Sequence, residues 1–265
     1  MVKKIFSFLK QFPPTFVIGY EIYSRMPFLL PHDKSYFIFP HLMSEKKGLI
    51  LDVGANNGIS SAYFHKVNPQ WKIIAFEPNS IHRRSLNRLK RNFKGFDYRP
   101  IGLSDRDQIL TFYTPVYFGF PQHCETSSEI KLKSCCRSHC FSFLTKRMKF
   151  HEQKVEVKTI DELNLNPDVI KIDCEGDDFK ILKGAKNTLE RCRPFIVLEN
   201  NEKDYLDLVQ FVESFNFEVF FYDYQKRELF GSSEVFTRDQ DRKRNLVIIP
   251  REKIEDIKKK IMEKK

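Results

Sequence analysis

Gly48-Leu49-Ile50-Leu51-Asp52-Val53-Gly54-Ala55-Asn56-Asn57-Gly58 decides how this chain is read. An apolar, branched run with the length of a buried strand closes on an acid, then on a loop with glycine at both ends. Gly54 and Gly58 permit a tight turn and close backbone approach. Ile59 to Lys66 reads as a helix whose first amides point into that loop. Trp71-Lys72-Ile73-Ile74-Ala75-Phe76-Glu77-Pro78 then supplies a second strand that again ends in an acid. Together they make a nucleotide-type βαβ unit spanning 48 to 78.

Downstream the alternation continues. Asn79-Ser80 caps a helix to about Asn92, with Ile81, Leu86 and Leu89 on one face and Arg83, Arg84, Arg88, Lys90 and Arg91 on the solvated remainder. A strand over about Phe96 to Gly102 leads to Leu103-Ser104-Asp105, and Ile109 to Thr114 suits an added hairpin strand. Val155 to Ile160 alternates as a half-buried strand. Asp168-Val169-Ile170-Lys171-Ile172-Asp173-Cys174-Glu175-Gly176-Asp177-Asp178 is a buried strand ending in a cluster of acids, followed by a helix from about Phe179 to Arg191. Further strands over Pro194 to Asn200, Glu218 to Tyr222 and Asn245 to Pro250, with an amphipathic helix over Tyr205 to Phe215, complete an α/β pattern. Such alternation predicts a mainly parallel sheet with helices on both faces and a ligand outside the carboxyl ends of the strands. Asp52, Glu77, Asp105, Asp173 and Glu199 all fall at such ends.

The flanks are less regular. Residues 1 to 47 are rich in proline and aromatics and read as a cover packed on the core or as a lid, with Tyr36, Phe39 and His41 near the ligand in the second case. Residues 48 to 250 form the main domain, with an irregular insert at about 115 to 152, and 251 to 265 is a charged tail read as a solvated helix. Cys124, Cys135, Cys136, His139 and Cys140 lie in the insert. Adjacent Cys135-Cys136 and the lack of a paired C-x2-C favour free thiols over zinc.

Over 265 residues, 41% hydrophobic and with 26 Phe, the chain can bury a sizeable core. The net charge of +10 admits an anionic partner, but no aromatic-basic module repeats, which disfavours nucleic acid. No stretch approaches the roughly 18 apolar residues of a membrane span, and Met1 to Lys10 is too short in apolar run for a secretion signal. With six cysteines in a chain this long, the expected compartment is the cytoplasm.

The loop Asp52-Val53-Gly54-Ala55-Asn56-Asn57-Gly58 lacks the middle glycine of a nicotinamide-binding G-x-G-x-x-G, and no Gly-Lys-Ser/Thr is present to cradle phosphates. A carboxylate at Asp52 near a helix N-terminus suits a ligand ammonium, and Glu77 can accept two hydrogen bonds from a ribose diol. That set fits S-adenosylmethionine.

The same residues resemble a known family. Leu51 to Gly58, Ala75-Phe76-Glu77-Pro78, Gly102-Leu103-Ser104-Asp105 and Ile170-Lys171-Ile172-Asp173-Cys174-Glu175-Gly176, continuing through Leu182-Lys183-Gly184-Ala185 and Pro194 to Glu199, are similar to the FkbM-type methyltransferases. The resemblance covers roughly residues 48 to 222. It implies a class I, Rossmann-like methyltransferase fold with a seven-stranded sheet, S-adenosylmethionine as donor and a hydroxyl acceptor on a sugar, glycan or other small molecule. It further implies that Gly54, Ala55, Asn56, Asn57 and Gly58 hold the methionine part, that Glu77, with Pro78 beside it, holds the ribose, and that Ser104 or Asp105 meets the adenine edge.

Asp173, then Glu175, are the expected groups for taking the acceptor's proton. Asp173, Glu199 and Asn200, at the ends of adjacent strands, form a candidate magnesium site, similar in placement to that of catechol-type O-methyltransferases. A nicotinamide-dependent oxidoreductase and a non-catalytic adaptor on the same fold are the competing readings.

Overall fold

A computed structural model describes residues 34–117, 120–121, 149–174, 176–200, 203–231 and 245–263. The cysteine-bearing stretch 124–140, residues 1–33 and Glu175 lie outside the described residues.

A 3-10 turn at Lys34–Ile38 enters α1 (Phe39–Leu42). The βαβ unit follows as β1 (Leu49–Val53), α2 (Ile59–Val67) and β2 (Lys72–Phe76), then α3 (Arg83–Asn92) and β3 (Phe96–Arg99). β4 (Gly102–Leu103), β5 (Gln108–Tyr117), β6 (Phe120–Pro121) and β7 (Lys149–Lys158) come next. The second half holds β8 (Val169–Ile172), α4 (Asp178–Lys183), α5 (Lys186–Cys192), β9 (Phe195–Glu199), α6 (Tyr205–Ser214), β10 (Phe217–Asp223), β11 (Glu228–Gly231), β12 (Asn245–Pro250) and α7 (Ile254–Glu263).

The main sheet runs β11-β10-β12-β9-β8-β1-β2-β3. β3, β2, β1, β8 and β9 are parallel neighbours, whereas β12 runs antiparallel between β9 and β10. The expected seven strands are therefore present and are extended to eight by β11, which folds back on β10 as an edge hairpin. Strand order reverses direction between β1 and β8, which makes their carboxyl ends the switch point where α/β sheets take ligands.

Alternating side chains divide the core into two layers. Ile50, Ile73, Phe64, Leu86 and Ile257 pack on one face of the sheet, and Leu51, Val53, Ile170, Leu182 and Val212 on the other. Tyr36, Phe39 and His41 are buried in the first layer. Tyr36 stacks on Phe64 with ring centroids 5.9 Å apart, and His41 Nδ1 lies 3.1 Å from the Lys260 carbonyl. At the amino end of the sheet Trp71 is buried over Gly48, where a Cβ would fall 2.6 Å from the ring, and its indole N–H donates to the Glu45 carbonyl at 2.8 Å.

Three readings are corrected here. The strand from Phe96 to Gly102 breaks in two, because Pro100 has no N–H to continue the ladder; β3 stays in the main sheet while β4 joins a second sheet ordered β4-β7-β5-β6. The helix from Phe179 to Arg191 breaks at Gly184, where a Cβ would come 2.1 Å from the Ser104 carbonyl oxygen. The α5 start is then capped from outside by Asp161, which accepts from the Asn187 and Thr188 amides at 2.9 and 2.8 Å. The solvated tail is instead an amphipathic helix, α7, which buries Ile254, Ile257 and Ile261 against the first core layer.

Candidate active site

The loop from β1 to α2 has a backbone few side chains allow. Gly54 and Gly58 have φ of 73° and 88°, and Asn56 has φ of 50°. Gly54 is also pressed against the β8 loop, since a Cβ there would sit 2.1 Å from the Asp173 carbonyl oxygen. The amides of Gly54 and Ala55 both donate to the Phe76 carbonyl, at 3.0 and 3.2 Å. Asn57 N–H donates to Asn56 Oδ1 at 2.8 Å, and Ser85 Oγ to the Asn57 carbonyl at 2.6 Å. The loop is thus fixed from β2, β8 and α3 together.

Glu77 follows β2 beside this loop. Its Oε2 accepts from the Asn56 amide at 2.9 Å and its Oε1 from the Asn79 amide at 2.8 Å. Burial pushes its carboxyl up to about 7, against the pull of those two amides. The second sheet is fastened to the same corner. Gln153 on β7 donates from Nε2 to the Pro78 carbonyl at 2.9 Å and accepts at Oε1 from the Ser80 amide at 3.0 Å, and Asn79 Nδ2 reaches Thr114 Oγ1 on β5 at 3.4 Å. Gly102 lies against Pro78. Ser104, two residues on, is buried with its hydroxyl 3.3 Å from Asp105 Oδ1, and Asp105 is exposed.

Asp52, expected to hold a ligand ammonium, is enclosed by groups of the chain itself. Its side chain is 0% exposed. Its Oδ2 accepts from Ser60 Oγ at 2.7 Å and Ser61 Oγ at 2.5 Å, on the first turn of α2. The ammonium beside it comes from the chain itself. Lys171, its cross-strand neighbour on β8, is 2% exposed and holds Nζ 3.2 Å from Asp52 Oδ1. That nitrogen also donates to the Val53 and Gly54 carbonyls at 3.2 and 2.9 Å, with Asp173 Oδ2 at 3.9 Å. Burial opposes its charge, but Tyr36, Asp52 and Asp173 outweigh burial and hold its pKa well above that of an ordinary lysine. Sequence reasoning passed over Lys171, although a lone lysine in the run Val169-Ile170-Lys171-Ile172, every residue of which is buried, signals a buried acidic partner.

At the end of β8, Asp173 is the acid that reaches the surface of the switch point, its side chain 24% exposed. The loop behind it is shaped by Asp178, whose buried carboxylate accepts from the Cys174 amide at 2.9 Å and the Gly176 amide at 3.0 Å. Burial, then the Asp178 charge, push the Cys174 thiol well above the ordinary cysteine range. Glu199 closes β9 and Asn200 follows it. The magnesium expected at Asp173, Glu199 and Asn200 finds no support. Among the described residues no group of three or more His, Cys, Asp or Glu converges on one point, and the Lys171 ammonium already stands beside Asp173. No described helix is long and apolar enough to cross a membrane.

The family model described as "Methyltransferase FkbM domain" matches residues 52–219, well over half of the chain. Methyltransferase 1 of Beauveria bassiana is 28% identical over 164 residues, covering 57% of this chain and 63% of that protein. The 2-O-methyltransferase NoeI of Sinorhizobium fredii is 25% identical over 171 residues, covering 62% of this chain and 67% of NoeI. The AMB antimetabolite synthetase AmbE of Pseudomonas aeruginosa is 27% identical over 207 residues; the match covers 69% of this chain but 9% of AmbE. The chain therefore spans less than two thirds of the length of AmbE and of the Beauveria protein. Among solved structures, the methyltransferase FkbM of Methylobacillus flagellatus KT shares the fold, with a TM-score of 0.50 at 16% identity over 77% of this chain and 44% of that one. Neither the nicotinamide reading nor the adaptor reading finds support among these relatives. With the glycine loop, the acid after β2 and the Asp173 block all inside or framing one switch point, the chain belongs to the FkbM family of methyltransferases.

Proposed function

We propose that this methyltransferase takes its methyl group from S-adenosylmethionine and delivers it to a hydroxyl oxygen of a sugar, glycan or other small metabolite. Glu77 carries the reading. Each of its oxygens is fixed by one backbone amide, and a carboxylate accepts about four hydrogen bonds in all, so it keeps capacity for two vicinal hydroxyls of a ribose. The loop Gly54-Ala55-Asn56-Asn57-Gly58 is assigned to the methionine part, Pro78 to the ribose side, and Ser104 with Asp105 to the adenine edge. An oxygen acceptor is supported by the name of the relative NoeI, a 2-O-methyltransferase.

When bound, the cofactor supplies an electrophilic methyl on a sulfonium. The chain's part is alignment of that carbon with the acceptor oxygen and exclusion of water. The acceptor's proton is assigned to Asp173, the carboxylate of the Asp52–Lys171–Asp173 group that solvent reaches. Glu175 is the second candidate and lies outside the described residues. Titration calorimetry at pH 8 with S-adenosylhomocysteine and with NAD tests the reading: binding of the first and not the second is expected, and failure to bind S-adenosylhomocysteine overturns it.

A further inference from the structure

We infer that Lys171 is a positioning residue for the cofactor loop, its ammonium setting the peptide plane through which Gly54 meets the methionine end of the cofactor. This rests on the S-adenosylmethionine reading above. Gly54 is held from three directions, its two flanking peptide planes included. Its N–H goes to Phe76 O at 3.0 Å, its carbonyl takes Lys171 Nζ at 2.9 Å, and its α-carbon abuts the Asp173 carbonyl. Of these, the lysine is the one side-chain contact, and it comes from the strand across the switch point. A carbonyl leaving the end of a parallel strand would otherwise be free to rotate toward the ligand; here it is turned inward, which aims the following backbone outward.

Stability alone does not account for the arrangement. Burying an ion pair costs desolvation that an apolar pair of similar volume avoids, so such pairs are frequently neutral or worse for folding. Lys171 lies on the same face as Asp52, in direct register with it, and two methyl-bearing side chains could fill that space. What an apolar pair could not do is hold the Gly54 carbonyl in place; the Val53 carbonyl also takes the Asp173 amide at 3.2 Å. Asp52, saturated at Oδ2 by Ser60 and Ser61, serves as counter-ion to the lysine.

The test separates charge balance from loop geometry. Lys171→Met leaves Asp52 buried and uncompensated and should lower the melting temperature; Asp52→Asn with Lys171→Met removes both charges and should recover most of that loss. The recovered double variant is expected to bind S-adenosylhomocysteine at least tenfold more weakly than wild type. It should bind 5′-methylthioadenosine, which lacks the amino-acid end, within threefold of wild type. Equal losses for both ligands, or affinities for both within threefold, overturn the inference. Should the double variant not fold, Lys171→Arg replaces it, since a planar guanidinium cannot reproduce the compact ammonium; the same selective loss is expected, and unchanged binding of both ligands overturns the inference. Wild-type protein that binds neither ligand overturns the cofactor reading itself and the inference with it.

Discussion

Two ion pairs hold opposite ends of the same sheet. At the carboxyl end of β1 and β8, Lys171 and Asp52 are sealed from water. At the far end, where β9 begins and β12 finishes, Arg193 forms a fork on Glu252, with Nε and Nη2 each 2.8 Å from a carboxylate oxygen and Glu252 48% exposed. The chemistry is alike and the dielectric is not. In the buried pair each charge depends on the other, whereas water and salt screen the exposed pair and can replace either partner. Charge that the sheet surrounds fixes the backbone of the site; charge at the seam trims the surface.

The sharpest way to break that contrast is to remove one member of the buried pair. Lys171→Met should destabilise the protein by about 3–5 kcal/mol, the usual cost of an orphaned buried charge, read as the denaturant midpoint at constant m-value. A loss under about 1 kcal/mol would equate the two ends.

Gly54→Ala should come next. A left-handed alanine costs about 1–2 kcal/mol before any clash, and its methyl would meet the Asp173 carbonyl, backbone that cannot swing aside. Chemical denaturation should show a loss of that size or more, and S-adenosylhomocysteine affinity should fall at least tenfold.

Glu77 tests the same end by pH. Its carboxyl titrates near 7 in the folded protein against 4.5 ordinarily, so between those values the folded state keeps a proton the unfolded state has lost. Its contribution to stability is then full below 4.5 and declines as pH rises to about 7, by at most about 3 kcal/mol. Ligand binding should run the other way. An ionised acceptor is needed for the ribose, so affinity should climb about tenfold from pH 6 to pH 8. Glu77→Ala should weaken binding by about 1–3 kcal/mol and flatten that slope, both measurable by calorimetry.

At the seam, Glu252→Gln should cost under about 1 kcal/mol. The Arg193 guanidinium holds the Glu252 carboxyl down at about 2, so its small contribution is present above 4.5, is lost as pH falls toward 2, and shrinks in high salt. Thermal melts at two ionic strengths would check it.

The difference between the two ends also explains what could be read from sequence. Alternation of apolar strands and amphipathic helices was legible because it follows from burial, which acts on every residue of β8 and β12 alike. The turn after β1 was legible because the left-handed backbone at Gly54 and Gly58 suits few other residue types. The partner of Asp52 was not legible, since an acid before a glycine loop looks the same whether its partner is a ligand or a lysine 119 positions later. Pro100 was a visible break that outranked the apolar run around it. The anchoring of the second sheet through Gln153 and Thr114 left no local trace, because two ordinary polar residues acquire that role only through the register of β5 with β7.

Trp71 gives the molecule a built-in instrument. It is the chain's one tryptophan, buried where β2 begins, a full strand length from the rim at Gly54 and Glu77. Its emission should be blue-shifted in the folded protein and move to the red only when the sheet itself comes apart. Cofactor or acceptor arriving at the far rim should leave that signal almost unchanged, so one optical channel reports unfolding free of interference from binding.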